Sequence, residues 1–451
     1  MYRMLALLLL AACTATEPET PSSDRASVAM VADVELSDGQ WQADLMLPME
    51  AQAVLFDRAL GTRAERWALL TEGASLQNIG GFDAVTSDRP LTELSFRVLP
   101  HTEPIRQDYT PFIPFSDGSA ALFTGQFGLL SAENVAAIEA MGGDLSRSQG
   151  VQFPLLTRIT ADRPMVTTDG VIEPGRTYET EGGTFVYVGG IEPFESGNLT
   201  LVTDPGLPPW LTDDLDTALA KVFDAHTEGW GRRLADGALL FLAFRGAEKD
   251  GFSSQGSVAG RVLGASLSGR SLLRPNPAIR DYLTWFYAHE AAHLYQNDAG
   301  TPVSNAPEAW MHEGAASYLA NRITEELSPG HGGFRQSQDK SAANCAETLS
   351  ESDGVTIDGG GGTYQIAYDC GAVIAEITDL LTPMRLEAFW TEAGEAYGRT
   401  KPFTTEAFFG ALETAGAREE GIAALRGFIT QPQPDAADAI ADLYSVAEGI
   451  R

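Results

Sequence analysis

Tyr287-Ala288-His289-Glu290-Ala291-Ala292-His293 is the stretch on which the reading of this chain turns. Two histidines four positions apart on an α-helix sit about 40° apart around the axis and roughly 6 Å apart along it. Both imidazoles then reach one tetrahedral zinc ion. Glu290, between them, is placed to deprotonate a water held at that ion. Such a site needs a third protein ligand, and Trp310-Met311-His312-Glu313-Gly314 offers Glu313. Nineteen residues separate His293 from Glu313. That spacing suits two antiparallel helices joined by a short loop, with a fourth metal position left open for water. His289, His293 and Glu313 therefore predict one zinc ion per chain. Glu290 acts as general base and later returns its proton to a leaving amine. His312 falls about 100° from Glu313 around a helix, which predicts a surface or packing role, with a group supporting the metal ligands or an extra acid as the alternative.

Outward from this stretch, Asn276 and Pro277 read as cap and first position of the motif helix, which ends before Gly300. Pro307 opens the helix of Glu313. Before them, Thr212 caps a helix whose apolar stripe is Leu215, Leu219, Val222 and Phe223. Ala238 to Phe244 reads as a buried strand and Gly260 to Leu273 as a second strand with a polar face. Ser328 to Gly362 is loop-rich, and helices dominate from Tyr364 onward. Asp358 to Thr363 reads as a glycine-rich surface loop, with a mobile lid as the alternative.

The grammar changes near Asp204-Pro205-Gly206. Upstream the chain alternates with period two. Val34 and Leu36, then Trp41, Ala43, Leu45 and Leu47, flank a turn at Asp38-Gly39. Leu94, Phe96 and Val98 repeat the pattern. Tyr178 to Val188 folds back at Glu181-Gly182-Gly183, and one helical patch spans Ser131 to Met141. The fold class is α+β: a β-rich sandwich or saddle-shaped domain over 28–204, then a catalytic domain over 205–451 with a helical C-terminal part.

Sixty-two acids against thirty bases give a formal charge of −32. Nucleic acid and anionic membrane surfaces are therefore poor partners. At the N-terminus, Arg3 precedes the apolar run Leu5 to Leu10, too short to span a bilayer. With Leu10-Ala11-Ala12-Cys13 it resembles a bacterial lipoprotein signal. That resemblance implies removal of residues 1–12, lipid on Cys13 and a flexible tether over 13–27. Thr14 in place of Asp implies the outer membrane. The only membrane contact expected is the lipid, with the protein facing the periplasm or exterior. Cys345 and Cys370, in an exported protein, invite one disulfide, with two buried thiols as the alternative.

The two zinc motifs resemble those of the gluzincin metallopeptidases, especially the aminopeptidase-N and glycyl-aminopeptidase families. The resemblance implies a thermolysin-like catalytic domain and a peptide or protein substrate. It covers about Pro205 to Phe428, including the amphipathic stretch Phe403 to Gly416. Tyr368-Asp369-Cys370-Gly371, fifty-five residues after Glu313, looks like the Tyr-x-Lys-Gly motif of aminopeptidase N. Tyr368 is then the oxyanion donor. Cys370 stands where that family has lysine, and the spacer before Glu313 is one residue longer. The family's Gly-x-Met-Glu-Asn strand holds a substrate's free amine with its glutamate. The matching segment here, read as an edge strand, is Gly264-Ala265-Ser266-Leu267-Ser268, which has no acid. Gly264, Ala265 and Ser266 are the expected substrate-binding positions. No Asp or Glu occurs from Gly251 to Arg280, while Arg261, Arg270, Arg274 and Arg280 do. A strict requirement for a free N-terminus is not expected. Two other readings stay open: a binding protein on a peptidase scaffold, and hydrolysis of a non-peptide amide such as a cell-wall cross-link.

Overall fold

The protein is described by a computed structural model that covers residues 29–450 apart from 59, 106–107, 214, 236, 302–307, 329–332, 353, 360–364 and 398–402. The leader, Cys13, the tether and Pro307 lie outside these residues. No helix among the described residues is long and apolar enough to cross a membrane.

Met30–Ser37 and Gln40–Phe56 form the expected hairpin. Asp38 and Gly39 both take positive φ, 52° and 74°, the pair of left-handed residues that a two-residue hairpin turn requires. Gln40–Phe56 continues onto Phe82–Val98, and Met30–Ser37 pairs in parallel with Leu155–Ala161. The result is an eight-stranded sheet.

Tyr178 to Val188 does not fold back on itself. Thr177–Glu181 closes the eight-stranded sheet beside Leu155–Ala161, whereas Phe185–Val188 belongs to a second, five-stranded sheet. Gly182 and Gly183 carry the chain between layers. Gly182 has φ 65°, and a Cβ on Gly183 would stand 2.9 Å from the Phe123 ring.

The second sheet is the middle layer. Phe112, Leu122, Val186 and Val188 pack onto the first sheet. Ile113, Ala121, Phe123, Phe185 and Tyr187 pack onto a third. Side chains alternate along a strand, so a strand covered on both faces reads as a continuous apolar run.

The same logic explains Ala238–Phe244, the central strand of the third sheet. Leu239, Phe241 and Ala243 face the second sheet, and Leu240 and Leu242 face the helices. This sheet runs in the order Phe194–Ser196, Leu199–Thr203, Ala238–Phe244, Val262–Ser268, Ser253–Ala259. Its first two strands precede the change of grammar at Asp204, so that change marks a crossover inside the sheet. Asp204 is buried there. It accepts from the backbone N–H groups of Ser116 at 2.9 Å, Gly206 at 2.8 Å and Phe244 at 2.8 Å, and from the Ser116 hydroxyl. One carboxylate thus ties the β-rich layers to the third sheet.

Four local expectations change. Leu129–Ala132 is a strand, and the helical patch is only Val135–Met141, capped by Asn134. Thr212 ends the short helix Pro209–Thr212 rather than capping Leu215–Trp230. Gly260 to Leu273 divides into the strand Val262–Ser268 and a 3-10 turn, Arg270–Leu273. Gly333–Ser350, expected to be loop-rich, is a helix. Among its buried residues are only Gln338, Cys345 and Leu349, a weak stripe that tertiary bonds reinforce.

Candidate metal centre

The motif helix spans Pro277–Ala299. Asn276 Oδ1 accepts from Ala278 N at 3.1 Å at its start, and Gly300, at φ 81°, ends it. Glu313 lies on Ala309–Leu327. Contacts between the two helices run in reverse order: Trp285 bonds Asn321, His289 meets Ser317 and Glu313, and His293 and Gln296 meet Glu313 and His312. The pair is therefore antiparallel, as the spacer implied.

His289 Nε2 lies 3.0 Å from Glu313 Oε2, and His293 Nε2 lies 3.4 Å from the same oxygen. The two Nε2 atoms are 3.2 Å apart. All three side chains are buried, and their ligand atoms fall within 4.8 Å of one another. Two imidazole nitrogens and a carboxylate oxygen form a donor set suited to zinc. Glu313 is held far below the usual carboxylate range: burial opposes ionisation, but the charges and hydrogen bonds of His293 and His289 outweigh it. Burial pulls His289 down. It also pulls on His293, where Glu313, Glu290 and Gln296 reverse the direction and raise it.

Gln296 orients the second histidine. Its amide nitrogen donates to the His312 carbonyl at 3.1 Å, which turns Oε1 toward His293 Nδ1, 2.9 Å away. Nδ1 must then carry the hydrogen, leaving the Nε2 lone pair directed at the metal position. Gln296 was not singled out in the sequence. The available signal was its place three residues after His293, on the same face of the helix.

Glu290 is buried, and its Oε2 has no hydrogen-bond partner among the described residues. Burial pushes its pKa up to about 8, with His293 opposing and Glu313 adding. His312 is buried as well, not on the surface. Its ring stacks on His293 with centroids 4.4 Å apart, and desolvation presses its pKa down to about 3.

Tyr368 stacks on His289, with centroids 5.3 Å apart and planes within 13°. It sits in a single π-turn, Ile366–Cys370, that runs into Gly371–Leu381. Cys370 is bonded to Cys345, with Cα atoms 4.8 Å apart. The disulfide pins this turn to Gly333–Ser350.

This architecture has counterparts of known structure. An aminopeptidase N family protein from Idiomarina loihiensis matches with a TM-score of 0.61 at 12% identity, over 89% of this chain and 76% of that one. Yeast LTA4 hydrolase in complex with bestatin matches with a TM-score of 0.51 at 13% identity, over 92% of this chain and 70% of that one. The native yeast LTA4 hydrolase gives 0.51 at 13%, over 92% and 71%. No protein-family model and no curated protein sequence matches the chain. At such identities the likeness is one of fold. The chain has the α+β fold of these proteins, and on it stands a buried His-His-Glu group.

Gly264, Ala265 and Ser266 do not lie on an edge. Val262–Ser268 is paired on one side with Ala238–Phe244 and on the other with Ser253–Ala259. Two ladders occupy its backbone, so it has no free edge with which to bind an extended chain. The end strand beside it is Ser253–Ala259, with Phe194–Ser196 ending the sheet on the other side; on the outer edge of Ser253–Ala259 the Val258 carbonyl accepts from the Tyr109 hydroxyl at 2.6 Å. Ser253–Ala259 too carries no acid. Three of the four arginines singled out nearby have partners. Arg261 pairs with Asp298 at 2.7 Å, Arg270 with Asp250, and Arg280 donates to the Trp210 carbonyl at 2.7 Å. Arg274 is exposed.

Proposed function

We propose that this chain is a zinc-dependent metallopeptidase of the cell envelope. The observation that carries the reading is the buried group His289, His293 and Glu313 with Glu290 on the intervening turn. These three residues would hold the zinc. When bound, zinc supplies the Lewis acidity that polarises a carbonyl and acidifies a water.

The chain's own residues divide the remaining work. Glu290 takes a proton from the attacking water and delivers it to the leaving nitrogen. Its raised pKa suits the return of that proton. Tyr368 donates its phenolic O–H to the oxyanion that forms at the carbonyl. The outer edge of Ser253–Ala259 pairs with an extended peptide through backbone hydrogen bonds. With no acid on that strand, nothing there holds an ammonium by charge, so N-acetylated and free peptides are both substrates. Arg3, Leu5 to Leu10 and Cys13 support export and attachment to the outer membrane by lipid alone. The charge of −32 argues against nucleic acid as a partner.

The decisive experiment measures zinc content and cleavage of a mixed peptide library for wild type and Glu290→Gln. One zinc in each, with cleavage lost in the variant, is expected. Zinc without cleavage by either would reject the peptidase reading, and absence of zinc from both would reject the metal assignment. For the anchor, Cys13→Ser should lose radiolabelled fatty acid and leave the membrane fraction.

A further inference from the structure

The two faces of Ser253–Ala259 differ. Toward the motif helix, the Ser254 hydroxyl meets that of Tyr282 at 2.7 Å. Gly256 lies so close under the Phe286 ring that a Cβ would collide with it. Phe286 is one helical turn from Glu290. Gln255 and Ser257 project from the opposite face. There they join Thr110, from the β-rich layers, and Ser266 around the guanidinium of Arg245, enclosing a cavity of about 10 Å³.

This cavity is polar and built from two parts of the molecule. Thr110, Ser257 and Ser266 are buried. Gln255 Nε2 donates to Thr110 Oγ1 at 3.4 Å, joining the two parts across it. Three hydroxyls, an amide and a cation line the space together with Ile113 and Gly264, and no carboxylate does. Arg245 is only 17% exposed, and the carboxylate it meets is Glu103, 3.4 Å away and 70% exposed. Burial presses the Arg245 pKa down, the direction expected of a desolvated guanidinium whose ion pair is weak. The space is about that of one water molecule, which one oxygen of a carboxylate would replace.

We infer that the Arg245 cavity is a carboxylate subsite, which receives an acidic side chain of a peptide paired along the outer edge of Ser253–Ala259. An added strand alternates its side chains. One residue faces the motif helix and Glu290, and the next faces Gln255, Ser257 and Arg245. The proposal rests on the peptidase reading and names its substrate class: peptides with an acidic residue beside the bond presented to Glu290. Three buried hydroxyls and a guanidinium supply donors enough for the oxygen that enters. A neutral amide at the same place would lose the charge-assisted bonds.

The test is calorimetric titration of the full chain carrying Glu290→Gln. Its ligands are blocked peptide pairs that differ only by Glu against Gln at one position, and free acetate. At one position the Glu peptide should bind about tenfold or more tightly than its partner. Adding Arg245→Gln should bring the ratio close to one, and adding Glu103→Gln should raise it by removing the competing carboxylate. Should Arg245→Gln not fold, Glu103→Gln alone still decides. Equal affinities at every position would overturn the subsite. So would Arg245-dependent binding of acetate without peptide discrimination, which would make this a free-anion site. An Arg245-dependent preference in a protein that cleaves nothing would sustain the subsite and reject the peptidase reading instead.

Discussion

Gly314 and Gly371 lie back to back where the helices Ala309–Leu327 and Gly371–Leu381 cross, so closely that a Cβ on Gly314 would run into the backbone of Gly371. The glycine after Glu313 and the glycine three residues after Tyr368 are thus one contact. It sets how the helix of the third ligand sits against the turn that stacks Tyr368 on His289. A Cβ on Gly371 would likewise meet the Trp310 carbonyl. Backbone cannot yield as a flexible side chain can. Gly314→Ala should therefore destabilise by about 1–3 kcal/mol or more and weaken both zinc binding and turnover. Urea unfolding with zinc titration checks this; wild-type stability would show that the helices part without cost.

Much of the metal centre was legible because it depends on local geometry. His289, Glu290 and His293 are fixed relative to one another by one helical turn, and the cap residues Asn276, Pro277 and Gly300 bracket that helix as their chemistry dictates. What escaped was set by distant partners. Ser253–Ala259 has neither β-branched nor aromatic enrichment, apart from Val258, and is a strand because Val262–Ser268 pairs with it. Gly333–Ser350 buries little, yet it is held by Cys345 on Cys370 and by Gln338 Nε2, which donates to the Ala372 carbonyl at 3.2 Å. Glu181-Gly182-Gly183 has the composition of a hairpin turn, and only the layering of two sheets makes it a crossover.

Gln296 satisfies His293 Nδ1 on one side and the His312 carbonyl on the other. Gln296→Leu leaves both buried groups without a partner and frees the His293 ring to rotate. Zinc affinity should fall about 10- to 100-fold, with a lower thermal midpoint from the two unmet hydrogen bonds. Competition against a chromogenic chelator reads the affinity, and an unchanged value would remove Gln296 from the metal centre.

Tyr368→Phe keeps the ring that stacks on His289 and removes only the hydroxyl. Zinc content and fold should be preserved, while turnover drops about 100- to 1000-fold, the usual effect of losing one oxyanion donor. Tyr368→Ala should in addition loosen His289 and reduce zinc affinity. Full activity in the phenylalanine variant would assign Tyr368 to packing.

The Cys345–Cys370 bridge closes a loop with a sequence separation of 25. Chain entropy puts its contribution at about 3–4 kcal/mol. Because both sulfurs are buried, Cys345→Ala/Cys370→Ala should lose that stability without exposing a reactive thiol. The π-turn should then exchange its amide hydrogens faster than the motif helix does. Equal protection in the two forms would show that packing alone holds the turn.

His226 is buried against Tyr295, and its Nε2–H donates to the Ala288 carbonyl at 2.8 Å. Desolvation lowers its pKa from 6.5 to about 4, with that hydrogen bond opposing. The unfolded chain takes up a proton on His226 as pH falls through about 6.5, whereas the folded protein does so only near 4. The unfolded state therefore binds more protons inside this window. The contribution to stability is whole above it, declines as pH drops and levels off below it, a loss on the order of 3 kcal/mol. His226→Gln keeps a donor for the Ala288 carbonyl and cannot titrate. Between pH 7 and pH 4, the unfolding free energy of wild type should fall relative to His226→Gln by about that amount. Parallel stability curves for the two proteins would mean that His226 takes up its proton equally easily when folded, which its burial argues against.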